Sequence, residues 1–183
     1  MRHRAERQNL KAIREGRRES YEAVISRHYK SIYRFMAYLT EDGNLAEDLT
    51  QETFAAAWAN IDGYKAQASI GTWLHKIAYH KFIDSKRRLE RHVTLMAKLK
   101  KEGRNLRKPS NPLQQLTADE DSRLMYEAMC RLELEEYIVI VLHYIQGLSF
   151  REMAKVLDEA VGTVKWRTSK TLKKLKAFLS GKV

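Results

Sequence analysis

The stretch Gln146-Gly147-Leu148-Ser149-Phe150-Arg151-Glu152-Met153-Ala154, followed shortly by Val161-Gly162-Thr163-Val164-Lys165-Trp166-Arg167, decides the fold of the C-terminal part of the chain. Gly147 is placed to end a helix, because glycine adopts the left-handed backbone that closes a helical C-terminus at little cost. Ser149-x-x-Glu152 is a capping box, in which each side chain satisfies a free backbone N–H at a helix start. This spacing predicts a short helix from Phe150 to Leu157, a turn at Asp158-Glu159-Ala160, and a second helix from about Val161 to Phe178. Two helices joined by three or four residues make a helix-turn-helix, whose second helix lies in the major groove of DNA.

At 100° per residue the second helix turns Val164, Thr168, Leu172 and Leu175 inward and spreads Thr163, Lys165, Trp166, Ser169, Lys170 and Lys173 over its outer side. Lys165, Arg167, Lys170, Lys173, Lys174 and Lys176 are candidates for phosphate contacts, which position a protein on DNA without specifying sequence. No acid follows Glu159. Trp166 has two readings: on the outer side it packs on a thymine methyl, and with the helix rotated it packs against the preceding helix as core.

Outward from this motif, the chain of 183 residues has room for one ordinary domain or two small ones. Its 34 Lys and Arg exceed its 23 Asp and Glu, a formal charge of +11 that points to an anionic partner. The charge is not evenly spread: six acids, Glu41, Asp42, Glu47, Asp48, Glu52 and Asp62, and no Lys or Arg lie between Glu41 and Tyr64. A single cysteine, Cys130, excludes an intramolecular disulfide framework and a Cys-cluster zinc site, and suits a reducing cytoplasm. Met1 to Arg18 is basic with no apolar run behind it, so no signal peptide is expected. The longest apolar stretch, Tyr137 to Ile145, is too short to span a bilayer, and no membrane insertion is expected.

With 2 Pro and 8 Gly, and Ala, Leu, Lys, Arg and Glu abundant, the composition favours an all-α fold. Tyr21, Val24, Ile25, Tyr29, Ile32, Phe35, Met36 and Leu39 recur at three and four, predicting a helix from Ser20 to Leu39 that breaks at Glu41-Asp42-Gly43-Asn44. A second helix is expected from about Leu45 through Ala59, burying Leu49, Phe54 and Trp58 and turning Asp48, Gln51 and Glu52 elsewhere. Ser69 is a plausible N-cap for a third, through about Arg88, with Trp73, Leu74, Ile77, Ala78 and Phe82 inside and Lys76, His80, Lys81, Arg87 and Arg88 on other sides. Tyr64, in the loop before it, has no comparable claim to the core. From Leu89 to Asp121 periodicity fades, Gly103, Pro109 and Pro112 appear and bases accumulate, the signature of a linker that is at least partly disordered.

Asp48-Leu49-Thr50-Gln51-Glu52-Thr53-Phe54 with Ala57-Trp58, then Ser69-x-x-Thr72-Trp73-Leu74-x-x-Ile77-Ala78 and Asp84-x-x-Arg87-Arg88, resembles region 2 of the extracytoplasmic function (ECF) group of bacterial sigma factors. Tyr144, Gly147 to Ala154 and Val161 to Arg167 resemble region 4 of the same group. The resemblance implies two small helical domains joined by a flexible linker: a basic extension over 1–19, region 2 over 20–88, the basic linker over 89–121 and region 4 over 122–183. It also implies the partners: core RNA polymerase through its β′ clamp helices and β subunit, promoter DNA, and in many members an anti-sigma factor.

By that resemblance Asp48, Gln51, Glu52 and Phe54 meet the polymerase, on a face that a DNA-binding protein must keep non-basic for its protein partner. Tyr64, Lys65, Gln67, Lys76, His80, Arg87 and Arg88 meet the minus-ten element, with Tyr64 stacking on an unpaired base. Thr163, Lys165, Trp166, Arg167, Ser169, Lys170 and Lys173 meet the minus-thirty-five element. The chain departs from the family's pattern at Asp158, often Gly, at Glu133, often Pro, at His80, often Asn, and at Trp166, often a small polar residue, so promoter sequence does not carry over. No cofactor, metal site or enzymatic activity is expected, and the alternative function is a stand-alone helix-turn-helix regulator.

Overall fold

A computed structural model describes residues 18–65, 67–99 and 120–181. All regular structure among them is helical. Helix α1, Arg18–Thr40, buries Tyr21, Val24, Ile32, Phe35, Met36 and Leu39, the stripe that its periodicity predicts. It stops at Glu41, whose φ of 54° leaves the helical region. Asp42 then caps α2, Gly43–Ala59, by accepting from the backbone N–H groups of Asn44 and Leu45 at 2.9 and 3.1 Å. The cap starts α2 two residues before the expected Leu45, because Asp42 is the N-cap and Gly43 the first helical residue.

The inner face of α2 is Ala46, Leu49, Thr50, Thr53, Phe54 and Ala57. Its buried threonines satisfy themselves: the hydroxyls of Thr50 and Thr53 donate to the carbonyls of Ala46 and Leu49, both at 2.7 Å. Trp58, expected inside, is 41% exposed, since Ala57 takes the buried position at the end of the stripe. The indole instead leans on the Tyr21 ring, centroids 4.7 Å apart.

After a 3-10 turn at Ile61–Gly63, Ser69 caps α3, Ile70–Leu99, by accepting from the Thr72 N–H at 3.1 Å. Ile70, Leu74, Ala78 and Phe82 form its buried row at four-residue spacing. The helix does not stop near Arg88 but continues over residues 89–99, where the expected linker begins. Leu, Glu, Arg, Met, Ala and Lys in that segment are good helix formers, and no Gly or Pro interrupts them. The expected basic N-terminal extension and the Pro-containing part of the linker lie outside the described residues.

The second unit comprises α4, Glu120–Met129, α5, Leu134–Ile140, which continues as a π-helical turn at Val141–Ile145, α6, Phe150–Leu157, and α7, Val161–Leu179. Tyr137, Ile138, Val139, Ile140, Val141 and Leu142 are all buried, so the chain is apolar all round from the second half of α5 into the π-helical turn, at the centre of the unit, while Glu135 and Glu136 occupy the first turn of α5. Gly147, at φ 71°, ends it, and the Leu148 N–H closes back onto the Leu142 carbonyl at 3.0 Å.

The two units pack on one another. Helix α6 lies against α3, the Tyr137 hydroxyl donates to the Tyr38 carbonyl at 2.9 Å, and the Tyr126 hydroxyl donates to Glu41 at 3.2 Å. Ser31 Oγ meets the Gln146 amide at 2.9 Å, and His75 Nε2 lies 3.4 Å from the same amide.

Candidate nucleic-acid interface

The helix-turn-helix is α6, its turn and α7. Ser149 Oγ accepts from the Glu152 N–H, and Glu152 Oε2 accepts from the Ser149 N–H at 2.9 Å, which is the capping box expected from the sequence. Asp158, where the family often has Gly, takes the left-handed conformation at φ 55°, ψ 40° and terminates α6. Asp reaches that region more readily than most residues.

The inward row of α7 is Val164, Thr168, Thr171 and Leu175. Thr171 takes the place expected for Leu172, and its hydroxyl donates to the Arg167 carbonyl at 2.8 Å, so a polar residue is satisfied inside. Leu172 is 39% exposed. Thr163, Lys165, Trp166, Ser169, Lys170 and Lys173 are all exposed on the far side. Trp166 is 62% exposed with the Lys170 ammonium 5.1 Å over its ring, which removes the alternative that it is core. Arg167 departs from its neighbours: only 15% of its side chain is exposed, and it is paired with Glu159 at 2.8 Å and Glu135 at 3.2 Å. Its guanidinium ties α7 to α5 and to the turn, and is not presented at the surface with the lysines.

In the first unit Asp48, Gln51 and Glu52 are exposed on α2, whereas Phe54 is 5% exposed and belongs to the core. The Gln51 amide donates to Glu47 at 3.2 Å and Lys81 reaches Glu52 at 3.2 Å. Hydrogen bonds from the Tyr29 hydroxyl and then from Gln51 hold the Glu47 carboxyl below the usual range.

Tyr64 differs from expectation. It is 4% exposed, its ring lies 4.9 Å from that of Trp73, and its hydroxyl donates to the Ala68 carbonyl. Aromatic packing across the loop gives Tyr64 the core role that its position in sequence did not suggest. Lys65 and Gln67 are exposed beside it, and Arg87 and Arg88 are exposed further along α3. Lys76 and His80, one turn apart on α3, both meet the Asp158 carboxylate, His80 Nε2 at 3.3 Å. A cavity of about 280 Å³ lies here, walled by Tyr64, Lys65 and Trp73 of the first unit and by Lys155 and Asp158 of the second.

On the other side of α7 an apolar groove of about 490 Å³ is lined by Met125, Met129, Tyr144, Ile145, Leu172 and Leu179, among others. Tyr144, one of the residues that resemble region 4, is 55% exposed there. Among the described residues no cluster of His, Cys, Asp and Glu could hold a metal ion, and no helix is long and apolar enough to cross a membrane.

Residues 24–92 match the family Sigma-70 region 2, and residues 122–175 match Sigma-70, region 4. The chain is a sigma factor of the ECF group. The ECF RNA polymerase sigma factor SigW of Bacillus subtilis is 30% identical over 172 residues, covering 86% of this chain and 88% of its own. SigX of the same organism is 28% identical, covering 85% and 83%. CnrH, solved in complex with the cytosolic domain of CnrY, superposes with a TM-score of 0.73 at 22% identity, over 98% of this chain and 99% of its own. The sigma factor RpoE of Bartonella quintana, solved with the anti-sigma factor NepR, gives 0.71 at 22% identity over 88% and 98%. At that identity the two structures establish the shared fold. A stand-alone regulator would have a helix-turn-helix and no region 2, so that alternative falls. The sigma factor directs RNA polymerase in transcription initiation and belongs to a non-enzymatic family.

Proposed function

We propose that this sigma factor divides initiation between its two units in the following way. Asp48, Gln51 and Glu52 on α2 dock on the β′ clamp helices of core RNA polymerase. The charge supports this reading: these residues lie in a segment, Glu41 to Tyr64, with six acids and no Lys or Arg, in a protein of net charge +11. Phe54 supports that face from beneath. Lys65, Gln67, Lys76, His80, Arg87 and Arg88 engage the minus-ten element, with Tyr64 holding the loop that presents Lys65 and Gln67. Thr163, Lys165, Trp166, Ser169, Lys170 and Lys173 engage the minus-thirty-five element in the major groove, and Arg167 positions their helix. The apolar groove beside Leu172 takes the β subunit, an occupant supported by the exposed apolar side chains that rim it.

The observation that carries the reading is the exposure of those six α7 residues opposite a fully packed inner row. An anti-sigma factor is a further partner, an assignment supported by the complexes in which CnrH and the Bartonella RpoE were solved. The work is done in the cytoplasm, where core polymerase and promoters are. Run-off transcription by core enzyme with and without the chain, on a genomic fragment library, tests the assignment. Transcripts starting at a common motif only when the chain is present support it. Their absence alongside stable core binding would overturn the promoter-reading roles.

A further inference from the structure

The apolar groove on the second unit carries a chemistry that packing against a partner does not use. Met125 and Met129 lie one turn apart on α4 and line the groove together with Tyr144 of the π-helical turn and Leu172 and Leu179 of α7. Apart from Tyr144, its polar side chains are Lys176 and Ser180, and the Ser180 hydroxyl already donates to the Lys176 carbonyl. Among the described methionine side chains, Met36 and Met153 are 0% exposed and Met129 is 6% exposed, whereas Met125 is 42% exposed. Leucine would fill the Met125 position with similar volume. A thioether adds one property that leucine lacks, reversible oxidation to a polar sulfoxide.

We infer that Met125 is a redox-sensitive modification site, and that its oxidation by peroxide makes the groove reject the β subunit. This inference rests on the seating of the β subunit in that groove. In the step, the Met125 sulfur takes one oxygen atom from hydrogen peroxide. The S–O bond forms, the O–O bond breaks and water leaves, the sulfur losing the two electrons that the peroxide gains. The sulfoxide oxygen is an acceptor that an apolar partner cannot satisfy, so docking against it buries an unpaired polar group. The thioether has to be open to solvent for this, so the free sigma factor is the susceptible form, and the seated β subunit shields Met125. Methionine sulfoxide reductases, one for each epimer, return the thioether and with it the groove.

Peroxide treatment of the full chain, stopped with catalase before polymerase is added, tests this. Peptide mass mapping should find an added oxygen on Met125 before any on Met36, Met129 or Met153. Titration of labelled core RNA polymerase should then show about tenfold weaker binding by the oxidised protein than by its untreated form, the size expected of one buried, unsatisfied polar group. Incubation with both reductases should restore the affinity. Met125→Leu, compared with its own untreated form, should lose nothing on treatment. Cys130→Ser, which removes the exposed thiol, should lose as much as the parent. A loss that persists in Met125→Leu, or vanishes in Cys130→Ser, would overturn the assignment to Met125. Tyr144→Asp sets a carboxylate at an exposed position of the same groove without any oxidation, and circular dichroism verifies its fold. Unchanged core affinity in that folded variant would overturn the seating of the β subunit. Weaker binding by Tyr144→Asp with no effect of Met125 sulfoxide would overturn the redox site and leave the seating intact.

Discussion

The hydroxyl of Thr72 donates to Glu152 Oε1 at 3.1 Å across the boundary between the two units. Each partner already has a local task. Thr72 sits in the first turn of α3, where its N–H is capped by Ser69. Glu152 closes the capping box of α6 through its other oxygen, which accepts from Ser149. One carboxylate therefore starts the helix-turn-helix and ties it to region 2. Burial works to raise the Glu152 pKa, but the bonds from Ser149 and Thr72 outweigh it and leave the carboxyl below the usual range.

The double use of Glu152 separates two substitutions. Thr72→Val removes the bond between the units together with the hydroxyl contact to Ser69 at 2.9 Å, keeps the shape and leaves both helix caps in place, an expected loss of about 1 kcal/mol. Glu152→Ala removes that bond and the capping box, and is expected to cost about 1 kcal/mol more. For a chain of this size each kcal/mol lowers Tm by about 2 to 4 °C. Calorimetry should therefore rank parent, Thr72→Val and Glu152→Ala in falling order, and equal midpoints for the two variants would show that the capping box adds nothing.

His75 makes the packing of the units sensitive to pH. Its Nδ1 hydrogen-bonds the Gly71 carbonyl at 2.8 Å, its ring packs 5.3 Å from Phe35, and it is 3% exposed. Burial pulls its pKa below the ordinary 6.5, against weaker opposing effects of Gly71, Gln146 and Glu152. His28 is lowered in the same sense, by burial first and then by Arg27 and His75. The unfolded chain thus binds protons that the folded chain refuses, so stability is complete above pH 6.5 and falls as the pH drops below it. Tm should decline on going from pH 7 to pH 5.5, and the decline should be shallower in His75→Gln. The lowered carboxyls Glu47, Glu136 and Glu152 act with the same sign only below their ordinary 4.5, which keeps the two windows apart.

How much of this was legible in sequence depends on how local the cause is. The capping box, Gly147 and the turn at Asp158 are each fixed by a few adjacent residues, and the helix-turn-helix followed from them. Trp58, Tyr64 and Leu172 were misplaced because burial at the edge of a stripe is settled by partners far away in sequence or by a neighbour one position along. Tyr64 is buried by Trp73, and Leu172 is displaced by Thr171, whose hydroxyl finds a carbonyl in its own helix. Arg167 looked like one more base among lysines until Glu135 and Glu159 were found folded against it. The closure of the two units had no signal in periodicity, since Lys76 and Asp158 meet across 82 residues of chain.

Charge reversal tests the polymerase face. Asp48→Lys with Glu52→Lys should weaken binding to core RNA polymerase at least tenfold, by removing two carboxylates and placing cations on the docking surface. Titration of labelled core enzyme measures it. Glu52 also loses Lys81, but exposed pairs contribute about 0 to 1 kcal/mol, so folding should persist. Unchanged affinity in a folded variant would remove α2 as the docking face.

Arg167 should behave as a structural residue. Arg167→Ala leaves Glu159 and the more exposed Glu135 without their shared cation and loosens α7, so Tm should fall by several degrees. Once folded at low temperature, the variant should keep the salt slope of DNA binding. A slope reduced by about one would instead make Arg167 a phosphate contact.

Trp166 tests the base-reading face itself. The indole is mostly exposed with Lys170 over it, and it offers one N–H donor and a wide apolar surface. Such a side chain packs on a thymine methyl but cannot make the paired hydrogen bonds by which Arg or Asn selects a base. Trp166→Ser is therefore expected to leave Tm within about 1 °C of the parent, because a surface position away from caps and core contributes little. The same change should relax preference at one base pair of the minus-thirty-five element by about 1 to 3 kcal/mol, read as the affinity ratio between matched and substituted duplexes. Lys170→Ala, by contrast, should weaken matched and substituted duplexes alike and lower the salt slope by about one. If Trp166→Ser weakens every duplex equally, the indole serves only to hold the Lys170 ammonium in place, and sequence is read by Thr163, Lys165 and Ser169.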